Sequence, residues 1–443
     1  MADEIAQPPI TDAGLVRAIG VRGLAANTVN NVVGSGIFVL PAVVAAALGA
    51  SAIIAYVVCA IAIGLIGLTF AEAGSRVSAP GGTYAYTEAA FGPFVGFLSG
   101  FLFWLSQLSA SAAVANVFVG SIAALAPSLG ATVTRAILLV VLYGGLTVLN
   151  IRGVRTGISI VETLTAAKLL PLVLLVIFGA FFIKPTNLAW VSMPTLAEIG
   201  TGSLLLIFAF TGVEGALISS GEVTNPSRTV PRAILIGLGA VSLLYIAIQL
   251  VAQGVLGPDL ARDQNAPLVA VAGRAFGPGG RLLIGVGAAI SAFGYVSGDI
   301  LTTPRLLFAF GRDGFLPKRF ASVNARYHTP AVAITVYAIL TCALAITGSF
   351  RSLVVLSTVS VLLVYLGTCL ASIQLSRRDV RSDGPPFRIR GGPTVPLLAC
   401  LVVTWMLSSA SRREFISVAA TLVIASVLYM IRPRRGGIAT ASG

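Results

Sequence analysis

Residues 32–38 read Val-Val-Gly-Ser-Gly-Ile-Phe and interrupt the first long apolar run of the chain, which extends from about Leu24 to Leu48. Such a run predicts a helix that crosses a membrane, because about 20 apolar residues span the hydrocarbon layer. Two glycines beside a serine weaken that helix by roughly 1 kcal/mol per glycine relative to alanine. Backbone N–H and C=O groups that lose their helical partners in lipid must be bound elsewhere. The stretch is therefore either paired inside the protein or a ligand site.

The composition excludes a water-soluble globular protein. Of the 443 residues, 56% are hydrophobic and 10% are charged, whereas about 25% are charged in an average soluble protein. A multi-pass protein of the lipid bilayer is therefore expected. Acidic residues such as Asp3 and Glu4 stand where a signal peptide would be basic, so segment 1–21 is expected to remain in the cytoplasm. The four cysteines lie in apolar runs without metal-ligand spacing, and neither a metal nor a cofactor is predicted.

Twelve membrane spans are predicted from the apolar runs. They lie near residues 22–48, 51–72, 90–124, 133–150, 157–183, 200–220, 231–255, 281–310, 330–347, 352–375, 394–410 and 414–431. With a cytoplasmic N-terminus, 20 of the 29 Lys and Arg residues face the cytoplasm, 8 face outward and Lys168 lies within a span. This bias is typical of membrane proteins and predicts that both termini are on the cytoplasmic side of the cell's inner (plasma) membrane. Because the basic residues are spread over short loops, nucleic acid is not expected as a partner.

A second interruption lies in the sixth span, where Thr211-Gly212-Val213-Glu214-Gly215 follows an apolar run. Two broken helices in corresponding positions of two halves indicate an inverted repeat with a binding site near the bilayer midplane. The predicted five-helix repeats are residues 22–183 and 200–375. Two additional spans in 394–431 and a basic cytoplasmic tail, 432–443, would follow. Close helix packing is the alternative role for such glycines, and it explains Gly96 and Gly100 better.

Five short segments occur in a defined order. They are Gly34-Ser35-Gly36-Ile37-Phe38, Pro80-Gly81-Gly82-Thr83-Tyr84, Phe208-Ala209-Phe210-Thr211-Gly212-Val213-Glu214, residues 222–233 from Glu222 to Ala233, and Arg312-Asp313-Gly314. In order and spacing they resemble the signature segments of the amino acid, polyamine and organocation transporter family. The resemblance covers spans 1–10, while the last two spans match in number only. It implies an all-α, leucine-transporter-like fold of two inverted five-helix repeats plus two helices, which works by alternating access.

The backbone at the two breaks predicts a site for an amino acid zwitterion. The N–H groups of Ser35, Gly36 and Ile37 begin the second half of span 1, where the positive end of the helix dipole suits a carboxylate. Carbonyl groups at both breaks suit an ammonium group, and we assign this part of the site to Asn31, Val32, Phe208, Ala209 and Phe210, with Thr211 beside them. The side chain of Phe208 has two interpretations. It packs in the core, or, as the resemblance implies, it closes over bound substrate.

Charged residues inside the spans are candidates for coupling. Lys168 lies roughly 16 Å into span 5, close to the middle of the bilayer. It either carries a coupling proton or is a fixed cation that tethers carbonyl groups of span 1, and Ser291 and Ser297 are candidate contacts. The resemblance implies that a lysine at this place substitutes for the second sodium ion of sodium-coupled members.

Two acids inside the spans are interpreted by their positions. Glu214 follows the second break and either bridges spans, responds to protonation or senses a substrate amine. Asp299 in span 8 lies nearer the cytoplasm, so we expect it to pair with Arg305 at a helix end or to be solvated at the rim.

These patterns favour a secondary active transporter that takes up amino acids, as a proton-coupled, sodium-independent symporter. Val, Ile, Phe, Ala and Thr around the breaks favour small or apolar neutral substrates. The acid at Glu214 leaves open an antiporter for cationic amino acids or polyamines. An enzyme or a channel is a remote alternative, because the single histidine lies in a basic loop and the spans lack a continuous polar lining. No pattern addresses the oligomeric state.

Overall fold

The computed structural model is all-helical over the residues that it describes. These are 20–77, 83–152, 158–190, 192–214, 226–324, 326–381, 386–389 and 391–431, and for 158–167 and 226–227 only the backbone is considered. This part holds fifteen α-helices: α1 Val21–Val32, α2 Leu40–Leu48, α3 Ile53–Arg76, α4 Thr83–Phe91, α5 Pro93–Leu125, α6 Thr132–Ile151, α7 Ile158–Gly179, α8 Leu196–Leu206, α9 Pro226–Leu256, α10 Pro267–Thr302, α11 Pro304–Arg312, α12 Ala331–Thr347, α13 Phe350–Arg377, α14 Thr394–Ser408 and α15 Arg412–Ile431.

Seven stretches of the described residues are long and apolar enough to cross a membrane. They are Leu40–Arg76, Pro93–Leu125, Thr132–Ile151, Arg228–Arg262, Pro267–Arg312, Phe350–Arg377 and Arg412–Ile431. Four shorter apolar helical stretches accompany them: Lys168–Phe182, Leu196–Phe210, Ala331–Thr347 and Thr394–Ser408. The chain is therefore a multi-pass membrane protein, while the count of twelve spans stays a prediction.

The centre of the helical bundle is formed by α5 and α13. In their most apolar windows 67% and 72% of the residues are buried, against 22% in α6 and 11% in α15. The latter two helices therefore lie at the outside of the bundle. Helix α5 packs against α4, α10 and α13, and α1 packs along α9. Residues 35–38, between α1 and α2, contact α5 and α10, which places the interruption of the first span next to the centre of the bundle.

The eighth predicted span is preceded by a helical segment that the apolar pattern did not indicate. Helix α10 starts at Pro267 and bends sharply at Gly277, which has a φ of 69°, so that its second segment begins at Pro278, close to the predicted start near residue 281. Only glycine adopts such a backbone freely, and Pro278 then begins the next helical segment with its fixed φ. A second departure is α4, which lies before the predicted third span.

Some predictions concern residues outside the described part. They are the N-terminal segment up to residue 19, the tail 432–443, Pro80-Gly81-Gly82, and residues 215–225 with Gly215 and the beginning of the segment 222–233. The repeat boundaries 22–183 and 200–375 stay predictions.

Candidate functional site

The first span breaks where the glycines predict. Helix α1 ends at Val32, Gly34 is extended, and a 3-10 turn, Ser35–Phe38, leads into α2. The N–H groups of Ser35, Gly36 and Ile37 open this turn and donate to no carbonyl group outside it within the described chain. The Ser35 hydroxyl is also buried without a hydrogen-bond partner there. The break therefore gathers four donors that a ligand can use.

The second break follows α8. A 3-10 turn, Ile207–Phe210, is followed by extended Thr211 and by Gly212 with a φ of 109°. The N–H and the hydroxyl of Thr211 both donate to the Phe208 carbonyl, at 3.4 and 2.8 Å. Of the three carbonyl groups predicted to be free in this span, that of Phe208 is therefore already bound by its own chain.

The two breaks contact each other through backbone. A Cβ atom added to Gly212 would lie 2.5 Å from the Asn31 carbonyl oxygen, so no side chain fits between the two helices. The hydroxyl of Tyr245 on α9 lies 3.1 Å from both the Val32 and the Ala209 carbonyl oxygens. Since a phenol has a single proton, it donates to one of them at a time.

Tyr245 is absent from the predicted site, although the sequence held a signal for it. Tyr245, Gln249 and Gln253 recur every four residues in an otherwise apolar run, which places them on one face of a helix. All three are buried. Polar residues on the inward face of a membrane helix indicate contacts to backbone or ligand.

Phe208 lies directly against the first break. A Cβ atom at Gly36 would be 3.1 Å from two carbon atoms of the Phe208 ring, and 7% of Phe208 is exposed. The ring therefore covers the backbone donors that follow Gly34. This position suits the closing role implied by the resemblance and also contributes to the core.

Lys168 tethers α7 to α1. Its ammonium group donates to the Asn30 carbonyl at 2.6 Å, one residue before the predicted carbonyl pair. No ion pair of the described residues includes Lys168. The expected contact to Ser291 is not formed, because the Ser291 hydroxyl has no hydrogen-bond partner in the described chain. The tethering role is thus present in the structure, and the proton-carrying role stays a prediction.

Glu214 bridges the second break and α13. Its carboxylate accepts a hydrogen bond from the Gly212 N–H at 3.1 Å and another from the Tyr365 hydroxyl at 2.7 Å. No basic side chain of the described residues pairs with it. Of the roles considered for Glu214, the bridge is the one that these contacts display.

Comparison with known proteins identifies the family. Residues 19–431 match the profile of a family described as amino acid permease. The chain belongs to this family. The permease is 28% identical to the serine/threonine exchanger SteT of Bacillus subtilis, over 93% of this chain and 95% of that protein. It is 25% identical to a methylthioribose transporter of the same bacterium, over 95% and 94%, and 28% identical to an uncharacterised transporter of Mycobacterium tuberculosis, over 90% and 88%. These relatives are transporters, which confirms the resemblance and the expectation that the chain is not an enzyme.

The environment of Asp299 in the permease contradicts the sequence-based expectation. Asp299 is buried, and its carboxylate accepts hydrogen bonds from the Thr303 and Tyr337 hydroxyls, each at 2.6 Å. Arg305 instead donates to the Leu301 carbonyl. Residue 303 lies one turn beyond Asp299 on the same helical face, whereas Arg305 points elsewhere. The predicted pair with Arg305 is therefore wrong, and so is the predicted solvated rim position.

At one end of the bundle, a buried arginine joins α3 to the end of α13. Arg76 binds Glu72 at 3.3 Å, the Ser376 hydroxyl at 3.1 Å and the Val380 carbonyl at 3.3 Å. Asp379 lies 3.8 Å from Arg76. The Arg381 guanidinium, with Arg388 and Arg76 nearby, lowers the pKa of Asp379 below its usual range. The Asp379 carboxylate therefore stays charged at neutral pH. Its attraction to Arg76 does not change in that pH range.

Proposed function

We propose that this permease takes up amino acids across the cytoplasmic membrane by alternating access, coupled to protons and independent of sodium. The observation that carries the proposal is the meeting of two broken helices. The break in span 1 offers the N–H groups of Ser35, Gly36 and Ile37, and the carbonyl groups of Val32 and Ala209 converge on one hydroxyl nearby. Donors grouped beside acceptors match the carboxylate and ammonium groups shared by all α-amino acids.

Each half of the zwitterion has a proposed place. The carboxylate binds the N–H groups that open the turn Ser35–Phe38, with the Ser35 hydroxyl as a fourth donor. The ammonium group binds carbonyl oxygens of Asn31, Val32, Ala209 and Phe210. The Val32 carbonyl accepts the Gly34 N–H at 2.8 Å and keeps a second lone pair. An ammonium group has three donors, so it can bind the Val32 and Ala209 carbonyls together. Phe208 closes over the bound molecule. Thr211 stabilises the turn that contains Phe208, through its hydrogen bonds to the Phe208 carbonyl.

The proposed substrates are small neutral amino acids. Apart from the amide of Asn31, the side chains beside the breaks are mainly apolar or hydroxylic, and the Glu214 carboxylate is bound by Tyr365 and the Gly212 N–H. An acid that is already bridged attracts a cationic substrate less than a free one. The serine/threonine specificity named for the Bacillus exchanger fits the same size class, and we extend it to this permease as part of the proposal.

Exchange of one amino acid for another is the second candidate, because SteT is described as an exchanger. The fixed contact between Lys168 and Asn30 also favours it. In an exchanger Lys168 is a constant cation, whereas in a proton symporter Lys168 or Glu214 carries the coupling proton.

We further propose the topology that this mechanism requires. Twelve spans with both termini in the cytoplasm place α1 and α2 in a broken first span and α8 in a broken sixth span. The repeats 22–183 and 200–375 then enter the membrane in opposite directions. This arrangement gives one gate on each side of a single site near the bilayer midplane.

Uptake by purified protein in proteoliposomes tests the proposal. Labelled amino acids should be taken up saturably, with small neutral ones preferred, and an inward proton gradient should drive accumulation with or without sodium. If the protein performs counterflow but the proton gradient drives no accumulation, it is an exchanger and not a proton symporter. If none of the standard amino acids moves in either assay, the proposed function is wrong.

Replacing Gly36 by valine should raise the KM for transport by about tenfold or more, because even one Cβ atom would meet the Phe208 ring at 3.1 Å beside the carboxylate donors. The measurement is concentration-dependent uptake together with thermal unfolding in detergent. Gly34→Ala is the matched control, since its Cβ would meet only the Val32 oxygen, at 4.0 Å. A Gly36→Val variant with wild-type KM would show that the break has a structural role only.

A further inference from the structure

A cavity of about 240 Å³ lies outside the two breaks, between α8, the beginning of α13 and the link from α14 to α15. Pockets for drug-sized molecules measure about 300–1,000 Å³, so this cavity suits a smaller molecule. The buried part of its lining is apolar and includes Leu204, Leu205 and Val355. The exposed part is polar and includes Ser349 and Arg351. The cavity therefore opens at the surface of the bundle.

The walls of the cavity belong to one side of the membrane in the proposed topology. The beginning of α8, the link between α12 and α13 and the link between α14 and α15 all lie on the outer side there. Leu204 and Leu205 come shortly before the turn Ile207–Phe210 at the second break. A Cβ atom at Gly200 would collide with the Ser409 hydroxyl, so the backbone of α8 touches the link after α14. The cavity thus adjoins the helix that leads to the second break.

Two opposite charges line this cavity without pairing. They are Arg351 and Glu414, and none of the ion pairs formed by the described residues includes either of them. The Oε2 atom of Glu414 is buried and has no hydrogen-bond partner in the described chain. A buried carboxylate oxygen without a donor is costly. The cavity therefore lacks a donor for Glu414 and an anion for Arg351.

Capping of α15 is the ordinary role for an acid at this position. Ser411 and Glu414 have the spacing of a capping box, in which the carboxylate accepts a hydrogen bond from the backbone N–H of the first residue. Thr195 and Glu198 form such a box at the start of α8, with both of its hydrogen bonds present. The Oε2 atom of Glu414 has no such bond in the described chain. Capping therefore does not account for this oxygen.

We propose that the cavity is a second binding site for the transported amino acid, on the outer side of the permease. The carboxylate of the zwitterion binds the Arg351 guanidinium in the first turn of α13, where the helix dipole adds to the positive charge. The ammonium group donates to Glu414, and a small side chain lies against Leu204 and Leu205. One ligand then satisfies both unpaired charges. This inference rests on the proposed function and adds a site that substrate occupies before it reaches the breaks.

Equilibrium binding of labelled serine, alanine and threonine to the purified protein in detergent tests the proposal. The wild type should bind two molecules per chain of an amino acid that it transports. Gly36→Val should bind one of them with unchanged affinity and the other about tenfold or more weakly. Adding Arg351→Gln or Glu414→Gln to Gly36→Val should weaken the remaining site by about tenfold or more, because each substitution removes one of its two charges.

Matched controls carry the same substitutions outside the cavity. Glu198→Gln removes an acid from the first turn of α8, and Arg413→Gln removes a basic residue from the first turn of α15. Neither residue lines the cavity, so both variants should keep two sites of wild-type affinity. Thermal unfolding of every variant in the same detergent checks that the fold is intact. If Arg351→Gln and Glu414→Gln also keep both affinities, the proposal is overturned.

A lipid headgroup that contains a phosphate and an ammonium group carries the same two charges. Binding is therefore repeated in nanodiscs of phosphatidylglycerol with and without phosphatidylethanolamine, and the second site should bind amino acid equally well in both. Loss of this site in phosphatidylethanolamine would assign the cavity to the lipid and overturn the proposal.

The failure of this inference is distinguishable from that of the proposed function. A permease that transports an amino acid but binds one molecule of it per chain contradicts this inference alone. A protein that transports none of the standard amino acids contradicts the proposed function itself.

Discussion

Alanine in place of Gly212 should abolish transport and destabilise the folded protein. The φ of 109° at this position disfavours any side chain, which costs about 1–3 kcal/mol. A Cβ atom would also stand 2.5 Å from the Asn31 carbonyl oxygen, a backbone atom that cannot move aside as a rotamer does. The two broken helices would have to separate, and the shared site would open. Uptake in proteoliposomes and thermal unfolding in detergent measure the two effects.

Gly144→Ala is the matched control. Gly144 lies within α6, and a Cβ atom there meets nothing within 4 Å. Alanine is favoured over glycine inside a helix by about 1 kcal/mol, so this variant should transport normally and be at least as stable. Normal uptake by Gly212→Ala would show that the two breaks do not need their close contact.

Replacing Lys168 by alanine should abolish gradient-driven uptake, with accumulation reduced by at least about tenfold. The substitution removes the hydrogen bond from this side chain to the Asn30 carbonyl, which connects α7 to the end of α1. It also removes a positive charge beside the first break. The measurement is accumulation of labelled substrate across a range of external pH. Unchanged accumulation with an intact pH response would refute a coupling role for Lys168.

Lys168→Arg distinguishes the two roles proposed for the lysine. Arginine keeps the positive charge and can bind the same carbonyl, but it does not release a proton in proteins. If Lys168 is a fixed cation, the arginine variant should accumulate substrate. If Lys168 carries the coupling proton, the arginine variant should perform counterflow without accumulation. The pair of variants therefore assigns the role.

The local features of the site were predictable from the sequence. Glycines in apolar runs predict both breaks, because their effect on a helix is local and the signal lies within a few residues of the feature. The depth of Lys168 in the bilayer stays a prediction. The resemblance implied that Phe208 closes over substrate, whereas its contact with Gly36 was not predicted.

Partners from distant parts of the chain were not predictable. Tyr245 meets the Val32 carbonyl across 213 positions, and Tyr365 meets Glu214 across 151. The packing of the whole bundle decides which helix faces contact each other. A local sequence pattern therefore does not reveal these contacts. The error at Asp299 has the same origin, because Tyr337 approaches it from another helix, while the nearby Arg305 was the only visible partner.

The shared proton of Tyr245 has a consequence for the kinetics of the empty carrier. Without substrate, the Val32 carbonyl accepts the Gly34 N–H at 2.8 Å, which leaves the Tyr245 hydroxyl free to donate to the Ala209 carbonyl at 3.1 Å. Both carbonyl groups can therefore be satisfied in the empty protein. Under the proposed mechanism, the empty carrier should then reorient without a penalty from these two groups, so that efflux of labelled substrate proceeds even when the far side contains no substrate.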